Sequence, residues 1–133
     1  WSGACEKEMI TEETRIWLRR RALQAQPYEA CGFILNDGTI VEIRNSYHDP
    51  MRGFLMSRTD LTEKVPNPDV VYAIWHTHPK GSLRPSKSDI DSMYQGAIPA
   101  HWKYLIVTTI DIKEMDPKTF VAQDNSFWGE FIA

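Results

Sequence analysis

Two apolar runs constrain the fold of this chain most strongly. Residues 70–76, VVYAIWH, and residues 103–110, KYLIVTTI, are almost continuous in apolar and β-branched side chains. A half-exposed strand alternates apolar with polar residues, whereas a continuous apolar run is typical of a strand buried on both faces. Both runs therefore predict inner strands of a sheet that is covered by helices, as in a mixed α/β domain.

A helix is predicted before the first strand, over residues 11–26. The segment begins with Thr11 and acidic residues and carries Arg19, Arg20 and Arg21 toward its end, an order of charges that the helix dipole favours. Pro27 ends it. Four residues are expected to form its apolar stripe: Ile10, Trp17, Leu18 and Leu23.

A β-hairpin is predicted next. Residues 31–35 and 39–44 are two apolar runs, and Asn36, Asp37 and Gly38 lie between them. These three are residue types that form tight turns between antiparallel strands.

The remaining elements are shorter. They are a strand over residues 53–57, a helix over 59–65 capped by Thr59 or Asp60, a helix from Ser86 or Ser88 to Gly96, and an edge strand over 119–123. No repeat or linker interrupts them, so residues 1–133 are expected to form one domain.

Composition narrows the class of protein. The 133 residues carry a formal charge of −3 and are 42% apolar, which is typical of a globular domain and argues against a nucleic-acid partner. No apolar run suits a membrane span or a signal peptide, so no membrane partner and a cytoplasmic location are expected. Cys5 and Cys31 match no disulfide framework and are expected to be reduced thiols.

Residues 75–89, WHTHPKGSLRPSKSD, carry the chemistry. His76 and His78 are two positions apart at the end of a predicted strand, so both imidazoles are expected on one face. Asp89 follows in the first turn of the next predicted helix. Two histidines and one carboxylate, with a fourth position left for water, are the ligands of a catalytic zinc site.

Each part of this pattern has an ordinary alternative. A lone His-x-His pair is weak evidence for a metal, Ser86-x-x-Asp89 is also a helix capping box, and Glu29 alone would be a solvated glutamate at a helix end. The combination His-x-His-Pro, six residues and Ser-x-x-Asp is far rarer, with a chance expectation on the order of 10⁻⁵ per chain of this composition.

Together with the upstream glutamate, this pattern resembles the signature of the JAMM metalloproteases, the zinc-bearing members of the MPN-domain superfamily. The matching residues are Glu29, in PYEACGFIL, then HTHP at 76–79 and SKSD at 86–89. The resemblance extends over roughly residues 10–110. It implies a cytidine-deaminase-like α/β fold with a curved mixed sheet flanked by helices, and zinc held by His76, His78 and Asp89.

The resemblance also implies a role for each residue of the site. Zinc would lower the pKa of a bound water toward about 7. Glu29 would accept the proton of that water and pass it to the leaving amine. Ser86 would stabilise the oxyanion and could also cap the helix that follows.

The implied activity is hydrolysis of a peptide or isopeptide bond. The short loops are similar to those of compact prokaryotic and phage members, which favours a protein or peptide substrate such as the glycine-containing tail of a ubiquitin-like or sulfur-carrier protein. Two alternatives stay open: a virion-associated peptidase of a phage tail that cuts cell-wall peptides, and a non-catalytic MPN scaffold. The scaffold is less favoured because Glu29, His76, His78, Ser86 and Asp89 are all present. The oligomeric state stays open.

Overall fold

The computed structural model describes residues 10–65, 67–86 and 101–116. They form the elements α1 (Glu12–Ala25), β1 (Cys31–Leu35), β2 (Ile40–Ile43), α2 (Arg58–Lys64), a 3₁₀ turn (Pro68–Val70), β3 (Val71–Thr77), β4 (Lys103–Val107) and β5 (Ile112–Met115). The predicted strand at 119–123 lies outside the described residues, and so does the predicted helix at 86–96 apart from Ser86.

The strands form one mixed sheet in the order β2-β1-β3-β4-β5. β3 and β4 are parallel, and the other neighbouring pairs are antiparallel. The two apolar runs are thus inner strands, as predicted, and the mixed α/β fold is confirmed. β3 begins one residue later than predicted because Val70 closes the 3₁₀ turn.

The core has a layer on each face of the sheet. Ile74 of β3 and Ile106 of β4 pack into one layer. Trp75 of β3 and Leu105 of β4 pack into the other. Helix α1 covers the Trp75 layer, and Leu61 of α2 packs against the Ile74 layer. Successive strand residues point to opposite faces, so a strand with a packed layer on each side is apolar throughout.

Helix α1 is confirmed, and its amide Thr14 N donates to Thr11 Oγ1 at 3.2 Å at the N-cap. Its predicted apolar stripe is partly wrong. The buried positions are Thr14, Leu18 and Ala22, which lie four residues apart, whereas Trp17 and Leu23 are 40% and 62% exposed. The contact face is therefore centred on Leu18, with the smaller Thr14 and Ala22 about one turn to either side.

The charge order predicted that the arginines lie at the end of α1, but they lie before its last turn. The last turn carries no basic residue. Arg21 instead forms a two-point ion pair with Glu42 of β2, with N···O distances of 2.7 and 2.8 Å. The guanidinium therefore joins the helix to the edge of the sheet, and this partner raises the pKa of Arg21.

The hairpin of β1 and β2 is confirmed. Ile34 pairs with Ile40, and Gly38 takes a positive φ of 90° in the turn. Asp37 accepts a hydrogen bond from the amide of Thr39 at 3.0 Å, and these contacts lower the pKa of the Asp37 carboxyl.

Three other predictions need correction. Residues 53–57 are not a strand: one backbone hydrogen bond joins Ser46 N to Leu55 O at 2.8 Å, and the other contacts to Gly53 and Leu55 come from the side chain of Asn45. Helix α2 begins at Arg58 with Ser57 as its N-cap, two residues before Thr59 and three before Asp60, the predicted caps. Strand β5 was not predicted, since its inner residues Lys113 and Glu114 are exposed and charged.

The helices in the described part of the chain are short. None of them is both long and apolar enough to cross a membrane.

Candidate active site

The two histidines of the motif come together at the carboxyl end of β3. His76 lies on the strand and is fully buried, and His78 follows the last strand residue, Thr77. Their Nε2 atoms lie 3.0 Å apart. Thr77 accepts a hydrogen bond from Ala30 N at 2.9 Å through its hydroxyl. The period-2 prediction that both imidazoles share one face is therefore confirmed.

The ring of His76 is held by aromatic neighbours. Phe54 stacks on it, with centroids 4.7 Å apart and planes 25° apart, and Tyr104 of β4 lies 5.2 Å away. Packed rings on two sides leave the imidazole little rotational freedom. The position of its Nε2 atom is therefore set by the core.

His78 is held by hydrogen bonds instead. Its amide donates to Val107 O at the end of β4, at 2.9 Å, and its Nδ1 lies 2.8 Å from Ser82 O. A carbonyl oxygen only accepts, so Nδ1 carries the proton. In a neutral imidazole the Nε2 atom then keeps its lone pair, which is the form that binds a metal.

Strand pairing brings Glu29 to the same place. β1 and β3 are antiparallel, and Cys31 at the start of β1 pairs with His76 near the end of β3. The pairing continues one step further, where Thr77 N donates to Ala30 O at 2.9 Å. Glu29, 47 positions before His76, therefore lies beside the histidines, and it is only 9% exposed.

The backbone of Glu29 is tied to the loop over residues 45–53. Its amide donates to Pro50 O at 2.7 Å, and its carbonyl accepts from Asn45 Nδ2 at 2.9 Å. Asn45 also donates to Gly53 O and accepts from Tyr47 N and Leu55 N. One amide side chain thus organises the loop and holds the glutamate against it.

A cavity of about 270 Å³ opens beside the histidine pair. It is lined by Glu29, Met51, Arg52, His78, Pro79, Lys80, Ser82, Arg84 and Ser86. Three of the predicted site residues, Glu29, His78 and Ser86, therefore line this cavity. His76 is not a lining residue, but its Nε2 atom lies 3.0 Å from that of His78.

The fit to a zinc ion can be tested on the histidine pair. Two ligands of tetrahedral zinc with Zn–N distances near 2.0–2.1 Å lie about 3.3 Å apart. The observed Nε2 separation of 3.0 Å is close to this value, so the pair fits two ligand positions. Within the described residues no group of three His, Cys, Asp or Glu side chains could hold a metal ion. The predicted third ligand, Asp89, lies outside the described residues.

Cys31 lies next to His76 in the sheet but does not contribute to this chemistry. It is fully buried and free, and its Sγ lies 3.4 Å from Ile43 O. Burial, together with the nearby carboxylates of Glu42 and Glu29, raises the pKa of the thiol to about 12. The thiol is neutral at physiological pH, as expected for a small core residue. Cys5 lies outside the described residues.

Some residues of the site could not be found from the motif. The partner that orients His78 is the backbone carbonyl of Ser82. Every residue type has this group, so the sequence does not reveal the contact. Asn45 could be suspected only as an asparagine in a predicted loop. Arg52 and Lys80 reach the cavity from two different loops, and only the tertiary structure brings these loops together.

Comparison with known families agrees with the fold. Residues 11–123 match the family of prokaryotic homologues of the JAB domain. The chain therefore belongs to this family, and the resemblance to the JAMM and MPN proteins is confirmed. The wider JAB family includes metalloproteases, but its prokaryotic members often lack activity. Membership in the family therefore does not by itself establish an activity for this chain.

Among solved structures, the chain is similar to the solution structure of protein DSY2949 from Desulfitobacterium hafniense. The TM-score is 0.59 at 21% identity, over 80% of this chain and 88% of that chain. At this identity the similarity supports the fold alone. No curated protein matches the chain.

Proposed function

We propose that this protein is a zinc-dependent metallopeptidase. It hydrolyses a peptide or isopeptide bond that follows a glycine-containing C-terminal tail, such as the tail of a ubiquitin-like or sulfur-carrier protein. The observation that carries the proposal is the 3.0 Å approach of the His76 and His78 Nε2 atoms beside a cavity that Glu29 and Ser86 also line.

In this proposal His76, His78 and Asp89 hold the zinc. When bound, zinc acts as a Lewis acid that lowers the pKa of water toward about 7 and makes hydroxide available at neutral pH. Two features support the histidines as ligands: His76 is fixed by Phe54 and Tyr104, and the Ser82 carbonyl leaves the Nε2 lone pair of His78 available.

Glu29 moves the proton. Glu29 lines the cavity, and its backbone amide and carbonyl both form hydrogen bonds with the loop over 45–53. The carboxylate takes the proton of the attacking water and delivers it to the nitrogen of the leaving amine, first as base and then as acid. The hydrogen bonds to Pro50 and Asn45 fix the backbone from which this side chain extends.

Ser86 stabilises negative charge. Its hydroxyl donates a hydrogen bond to the oxygen of the scissile carbonyl as that oxygen becomes an oxyanion. This role is supported by its place on the cavity wall with Glu29 and His78.

Glycine is the residue expected next to the scissile bond. A cavity of about 270 Å³ between two loops accepts an extended tail most readily when the tail has no bulky side chains. An extended tail bound mainly through its backbone would be recognised by sequence only weakly. The linkages differ in the second ubiquitin, and the short loops around the motif offer little surface to bind it, so we expect little preference among ubiquitin-chain linkages.

An activity panel tests this proposal. The zinc-loaded protein is incubated with small proteins that end in Gly-Gly fused to a leaving segment, with ubiquitin dimers of several linkages, and with cell-wall peptides. Cleavage after the glycines, lost on chelation and restored by added zinc, is the expected result. Cleavage of cell-wall peptides alone would favour the phage-tail alternative, and inertness of zinc-loaded protein toward every substrate would favour a scaffold.

A further inference from the structure

A second cavity adjoins the one at the histidine pair. It has a volume of about 340 Å³ and reaches Gln26 and Pro27 at the end of α1. The two cavities share Met51, Arg52, Pro79 and Lys80 as wall residues. We call the two together the cleft, which extends from His78 past the shared residues to Gln26.

The cleft is cationic, although the chain as a whole is acidic. Its described wall carries three basic side chains, Arg52, Lys80 and Arg84, against the one carboxylate of Glu29. The formal charge of the whole chain is −3. Charge of one sign in a concave site concentrates ligands of the opposite sign there.

These cations are poorly neutralised by the protein itself. Arg52 faces Asp49 at 3.7 Å, but its side chain is 80% exposed, so the pair is weak. Within residues 10–65, 67–86 and 101–116, no carboxylate lies within ion-pair distance of Lys80 or Arg84. The positive charge therefore remains available to a ligand.

The loop that carries Lys80 and Arg84 is anchored along the cleft. Gln26 Nε2 donates to Pro79 O at 3.2 Å, Gly81 N donates to His78 O at 3.0 Å, and Arg84 N donates to Ser82 Oγ at 3.1 Å. Gly81 has a φ of 85°, which lets the chain turn sharply. The loop is thus tied both to α1 and to the histidine of the site.

We propose that the cleft selects substrates bearing a carboxylate on the Gln26 side of the scissile bond, and that Arg52 and Lys80 bind this group. The inference rests on the proposed peptidase function, which supplies the bond that is cut. Arg52 and Lys80 are assigned because both line both cavities, whereas Arg84 lines only the one at His78. The carboxylate is either an Asp or Glu side chain or the C-terminal carboxylate of the peptide.

Peptides with one variable position test the proposal. Each has a Gly-Gly-Ala centre and carries Glu, Gln or Lys at one position before or after it, with a free or an amidated C-terminus. Exposed ion pairs are individually weak, so two acting on one carboxylate are expected to give about a 10-fold preference for Glu over Gln in KM, reduced by added salt. A lower KM with the free than with the amidated C-terminus, equal for the Glu and Gln peptides, would assign the terminal carboxylate as the ligand.

Matched variants connect the preference to the two side chains. Arg52→Gln/Lys80→Gln is expected to abolish the preference for the acidic peptide, measured as the ratio of the KM values of the Glu and Gln peptides. The control, Arg20→Gln/Lys113→Gln, changes the net charge equally at exposed positions that line neither cavity, and should keep the preference.

Binding to the zinc-free protein, measured by fluorescence anisotropy, separates this inference from the peptidase proposal. Tighter binding of acidic peptides that needs Arg52 and Lys80 supports the inference even if no peptide is cut. Cleavage with the same KM for the Glu and Gln peptides, and for free and amidated C-termini, would overturn the inference and leave the peptidase proposal intact. Equal binding of all these peptides to the zinc-free protein, together with no cleavage of any substrate by the zinc-loaded protein, would overturn both.

Discussion

The two histidines are two residues apart but are held in different ways. His76 is a strand residue, fully buried between Phe54 and Tyr104. His78 lies past the strand end, is half-buried, and depends on the carbonyl of Ser82 in the loop that follows. One ligand position is therefore set by core packing and the other by a loop. This combination places a rigid chemical group next to a surface that can vary between related proteins.

The first prediction separates the two histidines. His76→Ala and His78→Ala should each weaken zinc binding by more than about 100-fold and abolish zinc-dependent turnover. Loss of a residue that only hydrogen-bonds to a metal ligand costs less, roughly 10- to 100-fold in metal affinity. Only His76→Ala should also destabilise the zinc-free protein, by about 2–4 kcal/mol, because it leaves a cavity between aromatic rings.

Zinc titration and urea unfolding of the zinc-free variants measure the two effects. Equal losses of stability in both variants would contradict the division between core and loop. Unchanged zinc affinity in either variant would remove that histidine from the ligand set.

The second prediction concerns Glu29, which the strand pairing brings to the site. Glu29→Gln keeps the size of the side chain but not its ability to accept a proton, so kcat should fall by about 10²- to 10⁴-fold. Zinc content should stay near one ion per chain in elemental analysis. Loss of zinc in this variant would instead make Glu29 a ligand, and normal turnover would exclude it from catalysis.

The third prediction concerns Ser86, on the loop side of the cavity. If the hydroxyl stabilises the oxyanion, Ser86→Ala should lower kcat by about 10²- to 10³-fold. If it also caps a helix, the variant should lose about 1 kcal/mol of stability. We expect both effects, measured by steady-state kinetics and thermal unfolding. A less stable variant with normal kcat would leave Ser86 only the capping role.

The fourth prediction compares one glycine from each region. A Cβ at Gly32 of β1 would overlap the carbonyl oxygen of Val41 and lie 2.9 Å from the ring of Trp75. Gly32→Ala should therefore cost more than about 3 kcal/mol, above the usual range for overpacking. At Gly81 nothing lies within 4 Å, so Gly81→Ala should cost only the strain of a positive φ, about 1–2 kcal/mol.

Urea unfolding of both glycine variants gives these values directly. Similar losses at the two positions would indicate that the loop is packed as tightly as the core. Failure of Gly32→Ala to fold would agree with the prediction, provided that Gly81→Ala folds under the same conditions.

Much of the fold follows from local sequence patterns. The inner strands β3 and β4 are recognisable because burial on two faces requires apolar residues at successive positions. The hairpin is recognisable from its turn residues. Patterns fail where a local rule is overridden. Strand β5 has charged residues at Lys113 and Glu114, and residues 53–57 are held mainly by side-chain hydrogen bonds of Asn45 and not by a strand ladder.

The histidine pair was predictable for the same reason. Strand periodicity predicts His76 and His78 on one face, and the core packing of His76 and the loop contact of His78 bring their Nε2 atoms to 3.0 Å. The motif also identified Glu29 and Ser86 as candidates, and both line the cavity. The tautomer of His78 was not predictable, because it depends on a backbone carbonyl four residues away.

By itself, the sequence determined the inner strands, the order of the main elements and the residue types of the site, since these depend on neighbours within a few positions. The tertiary structure decided which distant segments meet. The antiparallel register of β1 with β3 brings Glu29 to the histidines, and the meeting of two loops brings Arg52 to Lys80. Such contacts depend on the packing of the whole sheet, because side chains far apart in sequence approach only when the layers between them are complete.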